Sequence, residues 1–552
     1  MPGIGDIFEI GRSGLQAHQQ GIAVAAHNIN NANTKGFSRQ EAILEAGRPV
    51  GGVFPTGVNV REIKRHVDQF IEAQLTDTVQ DLGRLTIRHQ LLQQVEPVFA
   101  ETSTLGINNA MNRLFDAFRD LSTFPEDSSV RTVVLNEGTN LADTFNSSAK
   151  SLRQIRSDID AAIGRNLTEV NSLATQIASL NAQIQTGEAG GENANDLRDK
   201  RAVTINDMAK LVSIATVEMT DGVAINVGGQ LLVSGNRSNS LVQVADTDNA
   251  GMNDVALKRS DGSTLVITSK ITDGEIKGQL TVRDTDVVGY QDRLDRLAAQ
   301  LIVQINTQHE AGFGLDGTTT NSLFSALSPD APVVSDANAG GVAGTSTSVL
   351  TASSLTMDNY KITFTSTTLF DVTNLTDGTT VLSGQTYSSG GNIDFDGLRV
   401  VLTNGSSGPA SGDVFTVDGH TGAASDMTRS LTDTDKVAAS STSAGVPGNN
   451  VNALALVAVQ TTTQANLGTV TLNDYHAATA GNVGSDTALA GLQKDAKQVE
   501  IDQVKALRES VSGVSLDEEL TRLLSFQRTF EASARLILVA DELYQTVLTL
   551  GR

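Results

Sequence analysis

An α+β multi-domain fold is predicted, with long terminal α-helices forming a coiled-coil layer, a helical rod domain, and β-rich outer domains inserted in the middle. Three observations predict it. Apolar residues recur in steps of three and four at both ends of the chain and again over residues 141–184, which is the period of helices packed along a seam. From Leu211 the pattern changes to alternating β-branched residues punctuated by Asp-Gly and Gly-Gly pairs. The length, 552 residues, suits about three or four domains.

The elements follow in order. Ile4, Phe8, Gly11, Leu15, His18, Ile22, Ala25 and Ile29 mark a heptad seam on one long helix, whose small members Gly11 and Ala25 permit close helix approach. The helix runs into Asn28–Phe37, where Asn and Gly tolerate left-handed backbone and compete for backbone hydrogen bonds, so a defined stop is expected. Residues 37–64 hold Pro49, Gly51, Gly52, Pro55 and the alternating Val58, Val60 and Ile63, which read as extended or short β structure. Helical periodicity resumes over about Val67–Glu96, stops at Pro97 and restarts around Leu105–Leu121. Asp127 and Ser128 are the N-cap candidates for the next helix. Its stripe of Leu141, Phe145, Leu152, Ile155, Ile159, Val170, Leu173, Ile177, Leu180 and Ile184 predicts a coiled-coil-like rod, ended by Gly187–Gly191.

Asp221-Gly222, Gly228-Gly229, Asp261-Gly262 and Asp273-Gly274 read as turns of a β-rich unit reaching about Val282, after which helical spacing returns over Val287–His309. Residues 325–440, rich in Ser, Thr, Gly and Asp around strands such as Tyr360–Phe364 and Leu398–Leu402, read as an inserted β domain facing solvent. Helices resume near Leu472. The last places Leu516, Leu520, Leu523, Phe530, Ala534, Ile537, Tyr544 and Leu548 on one stripe, shared by the polar Gln527 and Asp541. The expected division is 1–35 with 514–552 as terminal coiled-coil helices and 36–210 with 441–513 as the helical rod domain. Residues 211–324 form a β-rich domain with a returning helix, and 325–440 the insert. Two terminal amphipathic helices without a domain of their own must bury their stripes against each other or against neighbouring chains.

Composition narrows the chemistry. Forty Lys and Arg against 63 Asp and Glu leave a formal charge of −23, which argues against non-specific nucleic-acid or anionic-membrane binding. The absence of cysteine excludes disulfides, Cys-based zinc sites and thiol catalysis. The N-terminal residues carry acids where a secretory signal wants basic residues, so no cleaved signal peptide is expected, and apolar runs as short as Leu454–Val459 predict no membrane span. His309-Glu310 is followed by Phe313 where a zinc-protease helix needs its second histidine. Asp246–Gly251 has the outline of a calcium loop but lacks ligands at Ala250 and Leu257, and reads as a solvated turn. His18, on the apolar stripe, reads as a packing residue, and His27 supplies no third metal partner. No catalytic, cofactor-binding or metal-binding residue is assigned.

Ser13–Arg39, with Asn28, Asn33-Thr34, Gly36-Phe37 and Arg39, resembles the N-terminal signature of bacterial flagellar rod, hook and hook-associated proteins, departing at Lys35 where many members place proline. Val514–Leu543, with Glu519, Leu524-Ser-Phe-Gln527, Phe530, Ser533-Ala534 and Asp541-Glu542, resembles the matching C-terminal signature. Interior segments distinguish among axial proteins. Leu121–Arg131, Ala194–Arg201, Asn452–Leu456 and Gly484–Asp486 are similar to the flagellar hook-associated protein 1 family, over roughly 1–320 and 445–552. Residues 325–440 carry no motif of that family.

The resemblance implies a structural adaptor and not an enzyme, assembling at the distal end of the hook to join hook and filament. It implies self-assembly into a ring or helical layer, with the hook protein, the second hook-associated junction protein, a flagellar export chaperone and the type III export apparatus as partners. It implies no nucleic acid, no membrane insertion and no cofactor. The expected place is extracellular, at the hook–filament junction, reached by secretion without a cleaved signal peptide. The assembly residues expected on the N-terminal side are Ile4, Phe8, Leu15, Ile22, Asn28, Ile29, Asn31, Asn33, Gly36 and Phe37. Those on the C-terminal side are Leu516, Leu520, Leu523, Gln527, Phe530, Ala534, Ile537, Asp541, Tyr544 and Leu548. The alternatives are a bulk axial subunit, hook- or flagellin-like, and a secreted adhesin or enzyme domain carried on an axial scaffold.

Overall fold

In a computed structural model, residues 4–47, 57–101, 106–259 and 261–550 are described. Helix α1 (Ile4–Asn31) leads through a tight loop into an antiparallel hairpin of β1 (Gln40–Ala46) and β2 (Val58–Arg65). Pro49, Gly51, Gly52 and Pro55 lie outside the described residues. Helices α2 (Gln69–Val95), α3 (Ile107–Thr123), α4 (Ser128–Glu188) and α5 (Asn195–Leu211) then build most of the helical body. Local chemistry sets their starts. The Asp68 carboxylate accepts from the N–H of Phe70 at 2.8 Å, and the Asp127 carboxylate accepts from Ser129 at 2.7 Å, satisfying otherwise unpaired first-turn donors.

The 61-residue helix α4 buries Phe145, Leu152, Ile159, Ile163, Val170 and Ile177, each a removal from water of about 1.5–3 kcal/mol. Its surroundings correct the coiled-coil expectation. Different elements pack along its length, α3 near the start and α5 near the end, with strands between, so α4 is a spine within a globular body and not one arm of a paired rod. Its apolar residues recur at helical spacing because several partners share one face.

Four strands, β3 (Ala215–Met219), β4 (Gly222–Val227), β5 (Gln230–Ser234) and β6 (Arg237–Ser238), form an antiparallel meander, followed by a second of β7 (Ser240–Ala245), β8 (Asn253–Lys258) and β9 (Thr264–Val266). The β region ends at Val266 and not at Val282. Asp273-Gly274 starts helix α6 (Gly274–Thr281) instead of turning a hairpin, because Gly274 at φ +81° brings the backbone so near Val212 that a Cβ would sit 2.6 Å from its Cα and N, while the Asp273 carboxylate pairs with Arg84 at 2.9 Å. A π-helical turn, Val282–Asp286, joins α6 to α7 (Val287–Glu310) and points the buried Arg283 at Asp160 and Asp284.

The insert holds two antiparallel sheets. One takes β10 (Val333–Val334), β12 (Asn359–Phe364), β13 (Leu369–Asn374), β14 (Thr380–Thr386) and β17 (Val414–Asp418), in the order β10-β17-β12-β13-β14. The other takes β11 (Val342–Val349), β15 (Asn392–Phe395) and β16 (Leu398–Asn404), in the order β11-β16-β15. Tyr360, Phe364, Phe395 and Phe415 fill the space between with edge-on ring contacts of 4.9–5.8 Å. Residues 419–440 contain no strand. They return through the short helix α8 (Ala423–Asp426) along α4 and α7, where the backbone of Val437 takes the buried Arg131 guanidinium. Helix α9 (Val451–Ala458) then leads to α10 (Leu472–Ser512) and α11 (Leu516–Leu550). Helix α10 lays Val483, Ala490, Ile501 and Val504 against α2, and α11 leaves the body to pair with α1.

Candidate assembly interface

Helices α1 and α11 run antiparallel in register. A Cβ built on Gly11 would lie 2.6 Å from Ile537 Cγ1, on Gly14 2.7 Å from Ser533 Oγ, and on Gly21 2.8 Å from the Phe526 ring. One step further, Asn28 meets Glu519 at 2.9 Å. Gly14, Gly21 and Asn28 are seven apart, as are Ser533, Phe526 and Glu519, so the two helices meet once per heptad, at Gly14 against Ser533, Gly21 against Phe526 and Asn28 against Glu519. This corrects the predicted seam. The buried face of α1 is Gly11, Gly14, Ala17, Gly21, Val24, Ala25 and Asn28, whereas Phe8, Leu15, Ile22 and Ile29 flank it half-buried. The reason is steric: with Phe526 and Ile537 opposite, only small side chains fit along the axis. The side chain of Ile4 lies outside the described residues.

On α11 the inward positions are Glu519, Phe526, Ser533 and Ala540, with Leu523, Phe530, Ala534 and Ile537 half-buried beside them. Leu516, Leu520, Gln527, Asp541, Tyr544 and Leu548 are exposed, Leu516 and Tyr544 at the two ends of the row that Leu523, Phe530 and Ile537 occupy. Leu516, Leu520, Leu524, Leu538, Val539, Tyr544 and Leu548 are each at least half exposed, so α11 carries exposed apolar side chains at both of its ends and on more than one face. Asp541 takes a hydrogen bond from Gln545 one turn on. Gly14, Gly21, Phe526 and Glu519 were not picked out by apolar periodicity. The heptad spacing of Gly14, Gly21 and Asn28 is the signal that marks them.

At its body end the pair is tied by a dense polar joint. The Asn28 amide donates to Gln40 O at 2.8 Å as well as to Glu519, and its oxygen accepts from Gln40 N at 3.0 Å. Asn31 donates to His27 O and accepts from Thr34, which closes the loop, while Asn33 is exposed on it. Gly36, at φ +80°, passes so close to Val203 that a Cβ would clash at 2.1 Å, and Phe37 stacks edge-on with His27 at 5.4 Å. Two arginines tie the two crossings of the chain to each other. Arg39 donates its backbone N–H to Ser512 O and its side chain to Glu518, and Arg508 donates to Gly36 O and to Glu72 at 2.6 Å. Burial would raise the Glu41 carboxyl, but the hydrogen bond from His66 and the charge of Arg522 outweigh it and hold Glu41 below the usual range. Burial lowers His18, which packs 6.2 Å from the Phe526 ring as a seam residue.

The segment Ala194–Arg201 completes the joint. Asn195 donates to Ile63 O, Asp196 accepts from Gln40, Asp199 accepts from Ser38 N and Arg65, and Arg201 donates to Asn181. The arrangement holds chain segments in place; it is built for positioning.

Comparison with known proteins agrees with this geometry. Residues 92–324 match the helical domain of the flagellar hook-associated protein FlgK. Residues 334–419 match the D2-like domain of flagellar hook-associated protein 1, so the insert, which carries no motif legible in its sequence, is nonetheless of the family type. Residues 8–37 match the flagella basal body rod protein family, and 508–550 the C-terminal region of the flagellar basal body rod FlgEFG proteins. Flagellar hook-associated protein 1 of Escherichia coli is 29% identical over 547 residues, spanning 98% of each chain. That of Bacillus subtilis is 25% identical over 558 residues, spanning 98% of this chain and 97% of its own. The fold is similar to that of the flagellar hook junction protein FlgK from Burkholderia pseudomallei, at a TM-score of 0.70 and 19% identity, covering 80% of this chain and 100% of that one. With full-length relatives, the interior domain matches and the fold in agreement, the chain belongs to the flagellar hook-associated protein 1 family.

Proposed function

We infer that the chain is a structural adaptor of the bacterial flagellum, assembling at the distal end of the hook to join hook and filament. One observation carries the physical side of this reading: the two chain ends zip together in heptad register and leave many apolar side chains of α11 uncovered. Exposed apolar side chains in such number mark a surface that another protein covers, which is the situation inside an assembled tube. The reading is of a structural protein and not an enzyme, because the polar residues of the joint are engaged in holding chain segments together. Among the described residues no helix is long and apolar enough to cross a membrane. Immunogold electron microscopy with antibody to this chain tests the reading. Label confined to the hook–filament boundary is expected, and label along the whole hook or filament would replace it with a bulk axial subunit.

The assembly residues expected from the sequence divide by role in this proposal. Asn28, Asn31, Gly36 and Phe37 shape the joint, and Leu523, Phe530, Ala534 and Ile537 support the seam. Leu516, Leu520, Gln527, Asp541, Tyr544 and Leu548 face the neighbouring subunits, which include the hook protein and the second junction protein. The four-part division, with 1–35 and 514–552 innermost and 325–440 outermost, belongs to the same proposal. So does export through the type III apparatus, for which deletion of the first 40 residues is expected to abolish secretion. An export chaperone would cover the exposed apolar residues of α11 before assembly. Its binding is expected to be lost on removal of residues 511–552.

A further inference from the structure

A cavity of about 300 Å³ lies at the joint, between the start of β1, helices α2 and α5, strand β3 and the last turns of α10. Arg65, Arg198, Arg201 and Arg508 line it. Three of them are matched by close carboxylates: Arg65 by Asp199 at 2.7 Å, Arg198 by both oxygens of Glu188 at 2.7 and 2.8 Å, and Arg508 by Glu72 at 2.6 Å. Arg201 is not. It is 5% exposed and donates to the neutral amide oxygen of Asn181 at 2.9 Å. The acid paired with it, Glu218, stands 3.6 Å away on a side chain that is 66% exposed. Burial, and after it the charges of Arg198 and Arg65 against the opposing Glu218, pull Arg201 below the usual guanidinium value. Ser38 lines the same cavity, is 1% exposed, and has a buried hydroxyl without a hydrogen-bond partner.

A buried guanidinium, a loosely held counter-ion and an unpartnered buried hydroxyl, on residues that line one small cavity, are the parts of an anion site. A planar oxyanion takes the guanidinium fork in two parallel hydrogen bonds, and a buried hydroxyl left unsatisfied costs free energy until a partner arrives. We propose that this cavity binds a small oxyanion of the phosphate or carboxylate kind, with Arg201 and Ser38 donating to it and Glu218 swinging into solvent. The oxyanion comes either from a free ion or from an acidic side chain of a second copy. The site does not depend on the adaptor reading, because its first test uses the free chain.

The test is titration calorimetry and thermal unfolding of the full chain with inorganic phosphate, against chloride at equal ionic strength. A phosphate-specific heat and a raised melting temperature are expected, with both lost in Arg201→Gln. Because Arg201 also holds Asn181, Glu218→Gln is the decisive variant: its side chain is 66% exposed, so the fold is expected to stand, and removal of the competing carboxylate is expected to tighten phosphate binding several-fold. Equal responses to phosphate and chloride in the wild type, with no gain in Glu218→Gln, would overturn the proposal. The source is read from self-association of the chain. Phosphate that slows it in the wild type and not in Arg201→Gln assigns the site to a neighbour's carboxylate, and phosphate that binds without slowing it assigns the site to the free ion.

Discussion

Asn28 on α1 and Glu519 on α11 share a fully buried hydrogen bond of 2.9 Å although 491 positions separate them in the chain. The same amide serves the backbone of Gln40 in both directions. Asn28→Ala therefore strands a buried carboxylate and two backbone groups at once, at a cost of about 2–5 kcal/mol. Hydrogen exchange over residues 516–540 is expected to accelerate in that variant. Exchange as slow as in the wild type would mean that the contact does not hold the pair.

The register of the seam is open to a direct covalent test, since the chain has no cysteine of its own. A Cβ on Gly14 would lie 3.4 Å from Ser533 Cβ, close to the roughly 3.5–4.5 Å of disulfides. Gly14→Cys with Ser533→Cys is expected to cross-link under mild oxidation, shifting mobility on a non-reducing gel. Gly14→Cys with the outward Asp541→Cys is expected to remain open. The reverse result would place another face of α11 on α1.

Gly21 has no room for a side chain beside Phe526. Gly21→Leu is expected to force the helices apart, at about 1–3 kcal/mol or more, and to abolish motility when it replaces the native residue. Adding Phe526→Ala should restore part of it by reopening the space. A double variant no better than the single one would show that the loss arises elsewhere.

Periodicity located α1, α2, α4, α10 and α11 because each lays apolar residues on one face, and three-and-four spacing is the direct imprint of that geometry. The same rule missed the seam itself. Gly14 and Gly21 have no hydrophobicity to count, and what qualifies them is the close approach of Ser533 and Phe526, some 500 residues later. Glu519 escaped for the opposite reason: a carboxylate is expected in water unless a partner as specific as Asn28 is already known. The polar side chains of Ala194–Arg201 resembled a family motif, but their partners, Gln40, Ile63, Arg65 and Asn181, come from three other elements, which no local pattern names. Within the insert, strands such as Tyr360–Phe364 were legible by alternation. Asp273-Gly274 was misread as a turn because the clash that demands glycine there comes from Val212.

Arg131 explains the Leu121–Arg131 signature. It is 1% exposed, donates twice to Pro125 O at 2.9 and 2.6 Å, and reaches the returning segment at Val437 O. Arg131→Met keeps the bulk but leaves these carbonyls unpaired, and a loss of about 2–4 kcal/mol is expected in urea unfolding followed by far-ultraviolet dichroism. Stability equal to the wild type would show that water replaces the guanidinium.

Burial pushes Asp295 up to about 7, and its carboxyl sits against the N–H of Ala424 at 2.9 Å. Below the ordinary aspartate value both folded and unfolded states hold the proton. Between there and about pH 7 only the folded state does, so stability falls as pH rises through this window, by up to roughly 4 kcal/mol from a shift of about three units. Above it the full cost stands. Asp295→Asn keeps an oxygen for Ala424 and cannot ionise, so it is expected to melt higher than the wild type at pH 8 and alike at pH 4. Parallel melting curves across that range would contradict the assignment.

The antiparallel register of α1 and α11 gives the molecule a test of its own completeness. Every contact of the seam joins a residue made among the first thirty to one made after position 518, so the zipper has nothing to close on until nearly the whole chain has arrived. A molecule cut short before residue 519 keeps a bare glycine face on α1, with no large side chains to seat in it and nothing to pair Asn28. Such a fragment carries the signature of the first helix yet lacks the finished rod that a growing structure would have to accept. Intactness, from one end of the chain to the other, is thereby converted into a shape that neighbours can recognise.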